Sequence, residues 1–163
     1  MALKLRIISR LDIKGPNLVK GINFEGLRVL GDPKIFAKYY YDNGVDEIIY
    51  QDTVASLYGR NSLENLIKET VRDIFIPITV GGGIRSLQDI FNLLCSGADR
   101  VSINTAAFTN LSLIEDAVKE FGSSTIVSAL EVIRDKETGK YMLFTDNGRN
   151  PTGKDVVTWA KII

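Results

Sequence analysis

The sequence contains no histidine and a single cysteine, and both features limit the chemistry open to its 163 residues. Without histidine there is no Ser-His-Asp or Cys-His device and no imidazole ligand for a metal. The lone Cys95 excludes an internal disulfide and any site built from several cysteines. Within the helical run FNLLCSGA we expect it to be a small buried hydrophobe. Acid–base chemistry must therefore come from carboxylates, lysines, tyrosines or water, and neither a metal nor a cofactor is predicted.

Long apolar runs and an excess of charge of one sign are missing as well. Basic and acidic residues balance at 20 each, so the total charge does not indicate nucleic acid or an anionic membrane as a partner. No stretch approaches the roughly 20 apolar residues that span a bilayer. Because MALKLRIISR has no secretory apolar core before a cleavage site, we expect a cytoplasmic protein. The length predicts a single domain over 1–163.

What the sequence does contain is an alternation of short β-branched runs with amphipathic segments. The runs of strand length are LRIISRLDI (5–13), DEIIYQD (46–52), IPITV (76–80), RVSIN (100–104) and STIVSALEV (124–132). Helical spacing is found in 33–44, 62–74, 86–98 and 112–122, and again from about Gly153 through VVTWAKII. Plausible N-caps are Asp32, Ser62 and Ser86, and the helices end at Gly44, Gly97 and Gly122. This βα repeat predicts a parallel sheet with helices packed outside it.

A doubly wound sheet and a TIM barrel both fit this alternation, and the glycines distinguish them. A dinucleotide fold would carry a glycine fingerprint after strand one, where LDIKGPN has one glycine. The triplet Gly81–Gly83 follows strand three instead, which favours a barrel. We therefore predict an α/β chain made of the N-terminal five βα units of a TIM (βα)8 barrel. Apparent hairpins after strands one and five, the second turning at 137–139, suggest a two-fold repeat that sets Asp12 opposite Glu131.

In a TIM barrel the active site lies at the C-terminal ends of the strands. The residues at those ends are Asp12, Asp52, Gly81–Gly83, Asn104, Thr105 and Glu131. Two opposed carboxylates can act as general acid and general base, or each can simply cap a loop or pair with a lysine. The glycines beside Asn104 and Thr105 can cradle an anion, or form a tight turn without a ligand.

Several stretches resemble the cyclase subunit of imidazole glycerol phosphate synthase, of the histidine-pathway TIM barrels. They are LDIKGPNLVKGINF, GDP (31–33), VGGGIRS, GADRVSINTAA and TDNGRNPTG. The resemblance implies catalytic carboxylates at Asp12 and Glu131. It also implies contacts to a phosphorylated substrate from Lys20, Asp52, Gly82, Gly83, Asn104 and Thr105.

The same resemblance implies a partner. The family's reaction uses ammonia that a glutaminase delivers through the barrel; the ammonia attacks a bisphosphate ribulosyl intermediate, which is split as an imidazole ring closes. Arg6, Glu47 and Arg100 match the family's gate of charged residues at the bottom of the barrel, and Asp99 matches a position facing the glutaminase at the N-terminal face. A surface ion-pair network is the alternative interpretation of these four residues.

Two positions depart from the family. Its fifth-strand catalytic residue is aspartate, where this chain has Glu131, and it usually has a small residue where this chain has Arg10. Strand parity puts Arg10 on the face of Asp12, so we expect it inside the barrel, near Asp12, Glu131 or a bound anion. Two alternatives stay open: a paralogue that uses ammonia on a nucleotide-sugar or other phosphorylated substrate in polysaccharide synthesis, and a non-catalytic phosphate-binding half-barrel.

Five strands account for only part of a closed barrel. An open parallel sheet would leave strand edges unpaired and would expose interior side chains, for which we expect Ile8, Ile49, Val101 or their neighbours. The sequence therefore predicts a longer native polypeptide, or a second chain that completes the barrel.

Overall fold

The computed structural model describes residues 5–22, 25–55, 63–146 and 148–163. The strands are β1 Ile8–Lys14, β2 Asn17–Ile22, β3 Glu25–Gly31, β4 Glu47–Asp52, β5 Ile78–Gly81, β6 Arg100–Ile103, β7 Ile126–Ser128, β8 Glu131–Arg134, β9 Tyr141–Thr145 and β10 Asn150–Asp155. The helices are α1 Pro33–Asp42, α2 Glu64–Thr70, α3 Leu87–Cys95, α4 Thr105–Thr109, α5 Ser112–Phe121 and α6 Val156–Ala160.

Five parallel strands form the centre of the fold. The main sheet has the order β3-β2-β1-β4-β5-β6-β7, in which β1, β4, β5, β6 and β7 run parallel and β2 and β3 extend the sheet as an antiparallel meander. This confirms the predicted five βα units and the hairpin after the first strand. Within the described residues the sheet is open, with β3 and β7 at its edges.

The helix starts follow the predicted capping chemistry. Asp32 accepts a hydrogen bond from Lys34 N at 2.8 Å, with Pro33 in the first turn. Ser86 and Asp89 form a reciprocal capping box that fixes the start of α3. The third predicted cap, Ser62, lies outside the described residues. The short α4, directly after β6, is not among the predicted helices. In the described ranges, no helix combines the length and apolar character needed to cross a membrane.

The hydrophobic core lies between the sheet and its helices. Residues on the helix side of the central strands are buried: Leu11, Ile13, Ile48, Tyr50, Ile78, Val80, Val101 and Ile103. Val101, expected in the barrel interior, thus faces the helices, whereas Ile8 is 42% exposed as predicted. The expectation for Cys95 is wrong: it ends α3 on the exposed side of that helix.

The opposite, inner face of the sheet is largely polar. Strand register aligns Asp12 with Gln51, Gln51 with Gly81, and Gly81 with Ser102 along its upper row. Parallel neighbours in register project to the same side, so one continuous surface carries these side chains. The strands therefore carry polar side chains on the inner face and hydrophobic core residues on the face that packs against the helices.

The fifth predicted strand, 124–132, is divided in the structure. The main-sheet ladder ends with Ala129 N donating to Ile103 O, at 2.9 Å. The chain then leaves the sheet, and β8 pairs antiparallel with β9 in a separate sheet of order β10-β9-β8. Asp135 accepts from the backbone N–H groups of Glu137 and Thr138, which stabilises the predicted hairpin turn. These hydrogen bonds lower the pKa of Asp135, and the bond from Thr138 has the largest effect.

Candidate active site

A cavity of about 240 Å³ opens at the C-terminal ends of the parallel strands. Its lining includes Gly82 and Gly83 after β5, Asn104 and Thr105 after β6, and Glu131 after β7. These residues are up to 49 positions apart in the chain, and the parallel sheet brings them to one edge. The predicted meeting of strand ends is thus what the structure shows.

Asp12 joins this site through its neighbour on β1. Arg10 Nε donates to Asp12 Oδ1 at 2.7 Å, and Arg10 itself lines the cavity. The two side chains project from the same strand face because they are two residues apart. This confirms the expectation that Arg10 points inward and lies within salt-bridge reach of Asp12.

Glu131 begins β8, at the point where the chain leaves the main sheet. Its Oε2 accepts from Gly148 N at 2.9 Å, a contact between β8 and the segment after β9. In that same segment Asp146 N donates to Thr105 Oγ1 at 3.4 Å. The segment after β9 therefore ties the carboxylate of Glu131 to the strand end that carries Thr105.

Asn104 lines the cavity and carries an unusual polar atom. Its Nδ2 is buried and, among the described residues, has no hydrogen-bond partner. A buried donor without an acceptor costs about 1–3 kcal/mol, so such atoms usually have a functional reason. An acceptor-rich group bound in the cavity would satisfy this donor.

The close approach of the neighbouring strand β4 explains part of the glycine triplet. A Cβ on Gly81 would lie 2.3 Å from Gln51 Oε1, and a Cβ on Gly82 would lie 2.3 Å from the Asp52 carbonyl oxygen. Gly82 also has a φ of +103°, which side chains rarely adopt. The backbone of the neighbouring strand therefore already requires a glycine at Gly82, independently of any phosphate, whereas a Cβ on Gly81 would force the Gln51 side chain to move.

Two other residues predicted to contact the substrate, Asp52 and Lys20, are less clearly part of the cavity. Asp52 borders the cavity, but its buried Oδ1 accepts from Val54 N and Ala55 N, both at 2.9 Å, and so shapes the turn after β4. Lys20 is exposed on β2, and the described residues lining the cavity do not include it.

The opposite end of the strands carries the three residues predicted to form a gate. Glu47 is buried and accepts from Arg100 Nη1 at 2.8 Å to both oxygens, from Thr79 Oγ1 at 2.8 Å and from Arg6 Nη1 at 3.4 Å. A buried carboxylate is tolerated when such bonds satisfy its oxygens. Arg6, Glu47 and Arg100 thus form one charged cluster at the N-terminal end of the inner face.

Asp99 precedes Arg100 in the sequence, and its hydrogen bonds are to the backbone of the neighbouring strand β5. Its Oδ2 accepts from Ile78 N at 2.8 Å, while its own N–H donates to Ile78 O at 2.9 Å. Two strands away, Asp46 Oδ2 accepts from Ile7 N at 2.7 Å, and Asp46 N donates to Ile7 O at 2.9 Å. Both aspartates therefore secure strand starts at the N-terminal face of the sheet.

Several residues that line the cavity were not predicted from the sequence. Arg85 lies two residues after the glycine triplet, and its Nε donates to Gly83 O at 3.3 Å. Gln51 and Ser102 are the inner-face partners of Gly81 in the register. The position of Arg85 after VGGG was a usable signal, whereas Gln51 and Ser102 could be found only from the register. Across the described ranges, no cluster of acidic, cysteine or histidine side chains is placed to hold a metal ion.

The fold and the site together define the class of protein. The sequence matches the family described as histidine biosynthesis protein over residues 6–163, and the chain belongs to that family. At the level of individual proteins, it is 56% identical over 157 residues to the imidazole glycerol phosphate synthase subunit HisF of Legionella pneumophila, covering 96% of this chain and 74% of that relative. The predicted family and its TIM-barrel class are confirmed.

Proposed function

We propose that this protein is an ammonia-dependent cyclase, a lyase of histidine biosynthesis that converts a phosphorylated ribulosyl-aminoimidazole carboxamide intermediate to imidazole glycerol phosphate. The observation that carries the proposal is the cavity at the strand ends. Its lining includes Glu131, the glycine cradle, Arg10 with its hydrogen bond to Asp12, and Asn104, whose Nδ2 has no hydrogen-bond partner among the described residues. The 56% identity to the cyclase subunit from Legionella supports the assignment.

Asp12 and Glu131 are the proposed acid–base pair. Addition of ammonia to a ketose carbonyl requires a proton for the carbonyl oxygen and an acceptor for a proton from nitrogen. Glu131, which lines the cavity, and Asp12, which is hydrogen-bonded to the cavity residue Arg10, suit these two tasks. Their surroundings differ: Asp12 accepts from a guanidinium, whereas Glu131 accepts from the neutral Gly148 N–H. Different surroundings are what allows two carboxyl groups to take different roles.

The substrate phosphate is assigned to Asn104, Thr105, Gly82 and Gly83. Asn104 Nδ2 supplies a donor that is otherwise unsatisfied among the described residues, and Arg85 adds a cation at the same cavity. Phosphate oxygens are strong acceptors and favour charged and amide donors. In this proposal Asp52 holds the turn after β4 in shape. Lys20, which lies on β2, would have to reach the substrate from that strand.

A glutaminase subunit is the proposed source of ammonia. Its docking surface is the N-terminal face of the sheet, where Asp99 lies and where Glu47, Arg6 and Arg100 form the charged cluster. This cluster is the proposed ammonia gate, because it lies on the inner face at the end opposite to the cavity.

Turnover of the bisphosphate intermediate with ammonium salts tests the proposal without the partner. We expect formation of imidazole glycerol phosphate at a rate that depends on ammonium concentration and that Asp12→Asn lowers by about 100-fold or more. Binding of the intermediate without any product would support a non-catalytic phosphate-binding half-barrel and contradict the proposal.

A second candidate function is favoured by Arg10 and Glu131. The guanidinium of Arg10 occupies the cavity wall beside Asp12, where the family usually has a small residue, and Glu131 is longer than the family's aspartate. Both changes suit a paralogue that uses ammonia on another phosphorylated substrate, such as a nucleotide-sugar. Glu131→Asp separates the candidates: cyclase turnover should rise if this is a cyclase with a drifted residue, and activity on the true substrate should fall in a paralogue.

A further inference from the structure

Arg10 is an arginine on the chemically active face of β1, beside a carboxylate and open to the cavity. On β1, Leu11 and Ile13 face the helices and are buried, whereas Arg10 and Asp12 face the other way. Arg10 lines the same cavity as Glu131 and Asn104. No role for it follows from the resemblance, because the family usually has a small residue there.

The contact between Arg10 and Asp12 adds little to stability. The two side chains are 45% and 28% exposed. An ion pair this accessible contributes roughly 0–1 kcal/mol, because water and salt screen it. The 2.7 Å separation nevertheless makes it a short charge-assisted hydrogen bond, which restricts the orientation of the carboxylate.

The strand makes this restriction efficient. Arg10 is aligned with Ile49 and Asp12 with Gln51 in the parallel ladder, so both backbones are held by β4. The donor is Nε, the guanidinium nitrogen nearest to the backbone, so the planar head is anchored at its base. A donor anchored two residues away on a rigid strand sets where the Asp12 oxygens point.

We propose that Arg10 is a positioning residue for Asp12, holding one carboxylate oxygen so that the other is presented to the substrate. The inference rests on the proposed function for the reaction concerned, although the contact itself does not. Displacing a reacting group by about 1 Å can lower turnover about 100-fold. The effect of Arg10 should therefore appear in kcat.

The functional experiment compares Arg10→Ala, Arg10→Lys and Arg72→Ala in the ammonium-dependent assay. Arg72 is an exposed arginine after α2, on the helix side, and serves as the control. We expect Arg10→Ala to lower kcat about 10- to 100-fold while KM changes less than about threefold, with Arg72→Ala unchanged. Arg10→Lys should fall in between, because it retains charge without the planar fork. Added guanidinium ion should restore part of the turnover of Arg10→Ala and none in Asp12→Asn.

A second measurement follows the contact independently of turnover. The ¹⁵N–¹H signal of Arg10 Nε, assigned by its loss in Arg10→Lys, should shift in Asp12→Asn and stay in place in Arg72→Ala. Arg10→Gln replaces Arg10→Ala in the kinetic comparison if the alanine variant fails to fold.

Several outcomes would overturn the inference. A raised KM with unchanged kcat would make Arg10 a substrate-binding residue, and an unshifted Nε signal would remove the contact. An active wild type with fully active Arg10 variants would reject the role of Arg10 alone. A wild type inactive with ammonium salts would reject the proposed function and, with it, the role of Arg10 in that reaction, whatever the Nε signal shows.

Discussion

At the scale of single residues, Asp12 is the side chain on which the proposed chemistry depends most. Asp12→Asn keeps the shape but removes the proton acceptor, so we expect kcat to fall by about 100-fold or more while the affinity for the phosphorylated substrate changes little. Steady-state kinetics with direct binding of the intermediate would measure both. A parallel loss of binding and turnover would make Asp12 an ordinary contact residue.

Gly82 is the residue at which the backbone tolerates substitution least. Gly82→Ala should destabilise the protein by roughly 2–4 kcal/mol, because φ is +103° and the new Cβ would lie 2.3 Å from the Asp52 carbonyl oxygen. Gly153→Ala is the matched control: its φ is +72° and nothing lies within 4 Å, so about 1–2 kcal/mol is expected. Urea unfolding without ligand measures both. Equal losses would show that the close approach to Asp52 does not matter.

At the scale of elements, β4 and α2 are joined by a buried hydrogen bond with a pH dependence. Tyr50 and Thr70 lie 3.0 Å apart through their hydroxyl groups, and Thr70 donates to Leu66 O at 2.7 Å, so Tyr50 is the donor. Burial raises the pKa of Tyr50 from 10 to about 12. A raised folded pKa means that this stability is fully present below pH 10 and is lost as the pH rises through about 12.

The expected alkaline loss in the free energy of unfolding is on the order of 2–3 kcal/mol. Tyr50→Phe should lower the free energy of unfolding at neutral pH by about 1 kcal/mol. Between pH 9 and 11, however, this variant should lose less stability than the wild type. Tyr39→Phe, at an exposed tyrosine of α1, is the control and should behave as wild type. Urea unfolding at a series of pH values would check this; parallel curves for wild type and Tyr50→Phe would contradict it.

At the scale of the whole molecule, the described sheet is open and one of its faces has no helical layer among the described residues. Leu5 is 96% exposed, Ile7 66% and Ile8 42%, all at the N-terminal end of β1. Strand edges and apolar side chains in this arrangement favour association. We therefore expect the 163-residue chain, prepared by itself, to self-associate or to unfold at low denaturant concentration.

Light scattering over a range of protein concentrations, together with urea unfolding, tests this expectation. A mass that rises with concentration would agree with it. A monodisperse 18.1 kDa monomer with one cooperative unfolding transition would contradict it, and would show that the open sheet is stable alone.

The sequence by itself determined the features that depend on near neighbours. Periodicity gave the βα order, Asp32 and Ser86 gave two helix starts, and the two-residue spacing of Arg10 and Asp12 put them on one face, because caps and parity are local properties. The meeting of distant strand ends was also predictable, since parallel strands of one sheet end at one edge.

Only the tertiary structure decided the features that depend on register and competing partners. The strand predicted over 124–132 divides because β8 pairs with β9, a choice made by residues that follow it in the chain. Gly82 is required by the backbone of Asp52, 30 residues earlier, which approaches it through the β4–β5 register. Val101 faces the helices and Cys95 faces outward for the same reason: the direction of a side chain follows from how its element packs, which its own sequence does not specify.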